Sequence, residues 1–133
     1  MEFDYEKFMN TFYRFVPEMK DMVEQKFKEG DIRMSDGGLV IWGVGVMNCV
    51  LALMQDEPKH SKTLNSVFLF MEKMAQESEE TKSLLKYTFH AFMNEEQLLP
   101  AALSRMGPET REFWDKYMEC LHQFQLWRLA QLQ

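Results

Sequence analysis

The chain has 133 residues, a formal charge of −6 and an apolar fraction of 46%, with 12 Met and 11 Phe among its residues. That length fits one domain and excludes two ordinary ones. It buries roughly two-thirds of the surface that the unfolded chain exposes, so neither a disulfide nor a metal is required for folding. The acidity disfavours nucleic acid, whose phosphates it repels, and suits a basic protein partner.

Tyr5, Phe8, Met9, Phe12, Phe15 and Val16 recur at three- and four-residue steps, which predicts a helix with one apolar face. Pro17 lacks a backbone donor and disfavours helical geometry at Val16. Two helical pieces with a bend are therefore expected between Asp4 and Glu29, with Met19, Met22, Val23 and Phe27 continuing the apolar pattern. The breaker-rich stretch 30–38, GDIRMSDGG, reads as a loop.

LVIWGVGVMNCVLALM follows. Val40, Ile41, Val44 and Val46 leave a strand open over 39–46, but no second strand candidate exists to pair with it. A helix that is apolar all round, and so buried, is the economical alternative. Gly43 and Gly45 would each cost such a helix about 1 kcal/mol relative to Ala, and would permit close approach by a neighbour. The run is 16 residues long, short of the roughly 20 that span a membrane.

DEPKH, 56–60, reads as a turn, with Ser61 as N-cap of a helix that carries Leu64, Val67, Phe68, Met71, Met74 and Ala75 on one face. QESEE, 76–80, breaks the pattern, and Ser78 caps a further helix burying Leu85, Phe89 and Phe92, with Leu84 and Thr88 alongside. A polar break at 94–97 and a short helix containing Pro100 come next. Gly107-Pro108 then opens a last helix, since proline suits a first helical position. Glu109 and Glu112 complement its dipole. Its stripe is Phe113, Tyr117, Leu121 and Phe124, broadened by Trp114, Met118 and Trp127, and it runs to about Leu129.

The sum is one all-α domain over 1–133, with six or seven helices in antiparallel hairpins. Stacking like helical repeats is one such arrangement, although no sequence repeat is visible. The methionines read as core filler, with an adaptable binding surface as the alternative. The start MEFDYEKF is unlike the basic start of a secretion signal. Cys49 and Cys120 are far apart and outside any CxxC pattern, so reduced thiols and a cytoplasmic location are expected.

No nucleotide, P-loop, HExxH or EF-hand pattern occurs. His60, His90 and His122 lie about 30 residues apart and form no metal-binding pair along a helix. Glu72 follows VFLFM beside an apolar face, which suggests either a functional, partly buried carboxylate or an exposed one near Lys62 and Lys73. The clusters Glu77, Glu79, Glu80 and Glu95, Glu96 fall in predicted turns, where charge is ordinarily just solvated. Trp42, Trp114 and Trp127 are the best anchors for a partner, because Trp is enriched at binding hot spots. Trp127 stands out, since chain ends are often poorly covered.

The stretch from His60 to Tyr117 resembles a group of small, uncharacterised bacterial helical proteins. Their pattern is an F-x-F-[IM]-E helix, an acidic turn, a second helix and a G-P-x-[ST] step into a final helix. Here it is met by Phe68, Phe70, Met71 and Glu72, then by Gly107, Pro108 and Thr110. FVPEM, Phe15 to Met19, is similar to that group's early segment. His90 stands where the group carries an acidic residue, so no shared polar site transfers. Such proteins are often taken for immunity proteins that neutralise a secreted toxin. The resemblance implies a binding module, without a catalytic residue to carry over.

The expected function is thus protein binding, as an immunity-type inhibitor of a basic bacterial toxin, through Glu77, Glu79, Glu80, Glu95, Glu96 and Trp127. Neither catalysis, cofactor, metal nor membrane is expected. The competing readings are a homo-oligomer joined through the C-terminal helix, and a helical-bundle metal enzyme using His90 or His122 with glutamates.

Overall fold

The computed structural model describes residues 3–132, apart from the side chain of Met34. Residues 1, 2 and 133 of the expected domain span, and so the first two residues of the acidic start, lie outside that description.

Helix α1 is Tyr5–Phe15. The Asp4 carboxylate caps it by accepting from the Lys7 amide at 3.0 Å. Phe8 and Phe12 point into the core, whereas Phe15 is exposed against expectation. The helix stops at Val16, because Pro17 opens a 3-10 turn, Pro17–Met19, that feeds α2, Lys20–Lys28. Bend and restart are both present. The expected loop follows, containing a short 3-10 turn at Met34–Asp36.

Residues 38–54 form one continuous helix, α3. It consists of an α turn Gly38–Val40, a π segment Ile41–Val46 and an α segment Met47–Met54. The strand alternative at 39–46 is therefore overturned. Burial is one-sided rather than complete, since Leu39, Val40 and Val44 remain exposed. Of Gly43 and Gly45, only the second is closely approached: a methyl there would sit 2.7 Å from Ile32 Cδ1, while Gly43 faces open space.

Helix α4, Ser61–Glu77, begins one residue earlier than expected. His60 occupies the cap position without a side-chain bond, and Ser61 is the first helical residue. Ser78 alone separates α4 from α5, Glu79–Asn94. Its hydroxyl accepts from the Thr81 amide, and Thr81 Oγ1 accepts from the Ser78 amide in return. The buried Thr81 hydroxyl also donates to the Met74 carbonyl at 2.7 Å. Met74 against Thr81 near the turn, and Phe68 stacked on Phe92 farther out, mark an antiparallel hairpin. A 3-10 turn, Glu96–Leu98, leads into α6, Leu99–Arg105, and α7 spans Pro108–Gln131.

Helix α4 packs against α1, α3, α5 and α7. Its Phe70 meets Phe12 at 5.1 Å and Phe8 at 5.6 Å, and Trp42 packs edge-on to the same two phenylalanines. Trp42 Nε1 donates to Thr88 Oγ1 at 2.8 Å, which satisfies a polar atom that burial would otherwise penalise. Met19, Met47, Met54, Met71 and Met74 are buried among these rings, as a gap-filling role requires. Arg105 ties α6 to the turn before α4 and to α4 itself, donating to Glu57 at 2.6 Å and to Asn65 at 2.7 Å.

Candidate functional site

Helix α7 is anchored at its start and free at its end. Gly107 supplies no side-chain cap. Glu72 of α4 caps the helix instead. Its Oε2 accepts from the Glu109 amide at 2.9 Å, and its Oε1 accepts from the Thr110 amide at 2.8 Å and the Thr110 hydroxyl at 2.7 Å. A carboxylate at the positive pole of a helix satisfies both its orphan amides and its dipole. Burial works to raise the Glu72 pKa, but the three hydrogen bonds outweigh it and hold the group below the usual carboxylate range. Gly107 lets the carboxylate close on the helix start, since a methyl in its place would lie 2.6 Å from the Glu72 carboxyl carbon and one of the two would have to shift. The F-x-F-M-E and G-P-x-T segments thus meet in one clamp. Glu72 is half-buried, and its carboxylate is engaged by α7.

The root of α7 is held by Trp114, 7% exposed and edge-on to Phe89 at 5.1 Å. Phe113, Tyr117, Met118 and Leu121 are half-buried beside it. His90 Nε2 lies 2.7 Å from the Tyr117 hydroxyl, and Lys86 covers the same ring. Burial, and then Tyr87, push the Tyr117 phenol up. Past Leu121 every described residue of α7 is exposed. The expected stripe therefore ends at Leu121, and Phe124 and Trp127 do not join the core. The helix also runs two residues beyond Leu129.

The exposed end is apolar on two sides. Phe124 and Trp127 are one turn apart, with their rings 5.9 Å apart. Leu126 and Leu129 form a second ridge, rotated about 160° from the first at 100° per residue. Trp127 is 59% exposed and Leu132 78%. Phe124, Leu126, Trp127 and Leu129 thus lie on two faces of the helix rather than on one. Leu132 was missed, although it lies three residues beyond Leu129.

Glu77, Glu79 and Glu80 are exposed, as is Glu96, while Glu95 is half-buried. The two clusters sit at opposite ends of α5, about 24 Å apart, so they form no single patch. The first cluster itself divides. Glu77 and Glu80 face a hollow shared with Asp4 and Lys7 of the α1 region. Glu79 lines a trough with Lys82 and Lys86 of α5 and Lys116 and Cys120 of α7. Phe124 is one turn past Cys120, so Glu79 stands beside the root of the projecting segment. Glu95 accepts from the Gln97 side chain at 2.9 Å, far from it.

His60, His90 and His122 are not brought together with carboxylates: among the described residues no three His, Cys, Asp or Glu side chains converge as a metal shell would require. Among the same residues no helix is long and apolar enough to cross a membrane. Cys49 is buried and Cys120 exposed, and neither is in a disulfide. No protein-family model, curated protein or solved structure matches the chain.

Proposed function

We propose that this chain is a protein-binding module that grips a partner with the projecting end of α7, and that it serves as a cytoplasmic inhibitor of the immunity type. The observation that supports the reading is the α7 segment beyond Leu121, which exposes Phe124, Leu126, Trp127, Leu129 and Leu132. An exposed Trp–Phe pair is the kind of anchor that dominates binding energy. The net charge of −6 suits a basic toxin and would speed the encounter by electrostatic steering.

The experiment is affinity capture from the source cells, with the full chain and its Phe124→Ser/Trp127→Ser double variant as parallel baits. A basic protein retained by the wild type and lost by the variant is the expected result. Identical recoveries from the two baits would overturn the reading. A second reading, a homodimer through α7, is favoured by the two-sided apolar segment, because a helix apolar on opposite faces needs more than one covering surface. A solution mass that doubles at micromolar concentration and reverts to monomer in the same variant would put the homodimer in place of the inhibitor.

A further inference from the structure

A cleft of about 540 Å³ lies between α1, α2 and the first turn of α3. That volume is in the range of small-molecule sites, roughly 300–1,000 Å³. Tyr5, Met9 and Tyr13 line one wall, four residues apart and therefore on one face of α1. Phe8 and Phe12, on the other face, fill the core. Phe27 closes the opposite wall and Ile41 the floor.

The cleft is built by its backbone. Gly37 holds a φ of +89°, which a side chain would strain. Gly38 lets the Tyr5 ring lie on the main chain, where any Cβ would collide with it. The π segment Ile41–Val46 begins at the floor, and π turns are frequent at functional sites.

The rim is charged. The carboxylates of Glu6 and Glu24 outnumber the one ammonium, Lys28. The field of Glu24 reaches the interior: the Tyr13 phenol is pushed up to about 12, by burial first, then by Glu24 and by Cys49. Lys7, Arg14 and Lys20 line an adjoining hollow, which shares only Glu6, Asn10 and Tyr13 with the cleft.

We infer that this cleft binds a small organic ammonium ion carried on an apolar body, with the cation at the Tyr13 and Phe27 end, beside the carboxylate of Glu24, and the apolar body extending along Met9 toward Tyr5. Aromatic rings attract a cation through their quadrupole, most strongly where water is partly excluded. The apolar walls hold the rest of the ligand, and an anion would meet Glu6 and Glu24. The inference is independent of the α7 reading, since no α7 residue lines the cleft.

The test is a titration of the full chain with benzyltrimethylammonium, followed by amide chemical shifts. Saturable shifts are expected around Tyr5, Tyr13 and Phe27. Affinity should fall about tenfold in Glu24→Gln and in Phe27→Leu. Choline should also bind about tenfold more tightly than its uncharged carbon isostere, 3,3-dimethylbutan-1-ol. The proposal is overturned if no saturable shift occurs in the cleft, if the isostere binds as well as choline, or if Glu24→Gln leaves the affinity unchanged.

Discussion

Replacing Glu72 by Ala isolates the clamp between α4 and α7. The substitution removes one acceptor from each of two amides and from the Thr110 hydroxyl, a residue with no exposed surface. Each amide bond contributes about 1 kcal/mol net, and a buried hydroxyl left unpaired costs about 1–3 kcal/mol. Water entering the vacated space offsets part of this, so a loss of about 2–4 kcal/mol is expected. In a domain of this size that lowers the melting temperature by about 10 °C.

Urea and thermal unfolding should be followed by circular dichroism, with the fluorescence of the three tryptophans as a second probe. The clamp also has a pH signature. Glu72 ionises in the folded chain below its ordinary value of 4.5. Its stabilisation is therefore complete above that value and is lost as pH falls through the lowered one. The gap between wild type and Glu72→Ala should be constant near neutrality and shrink in acid. A stability within about 0.5 kcal/mol of wild type, or a gap unchanged between neutral and acidic pH, would refute the clamp.

Gly107→Ala should cost about 1–3 kcal/mol, the range for overpacking, because its methyl meets the Glu72 carboxyl at 2.6 Å. In the Glu72→Ala background most of that cost should vanish, and additive losses in a double-mutant cycle would count against direct contact. Trp127→Ser should change monomer stability by less than about 0.5 kcal/mol, whereas Trp114→Ala should cost about 3–5 kcal/mol. Comparable losses in chemical denaturation would show that the end of α7 is packed after all. Cys120 is exposed, while burial raises the Cys49 thiol pKa and Lys26 only partly offsets it. With Ellman's reagent, one thiol should react quickly in the native protein and the second only on unfolding. Two fast thiols would contradict the burial of Cys49.

Local rules settled much of this chain. Alternation at three and four residues marked α1, α4 and α5, because their buried faces, such as Leu64, Val67, Phe68, Met71 and Met74, are contiguous along the helix. Pro17, Ser78 and Gly107-Pro108 marked boundaries, because each acts on its own backbone within a few residues. The protein-binding role was also a reading of the sequence, and it stands here as a proposal. Tertiary structure decided the rest, because the rest depends on partners distant in sequence. Whether 39–46 became strand or helix turned on the absence of a pairing strand, and its π segment left no periodic signal. Glu72 became a cap only because α7 begins beside it, 37 residues on. The last helix carries large apolar side chains along its whole length, yet the body of the domain reaches only as far as Leu121, so the same residue types are core in its first half and open surface in its second.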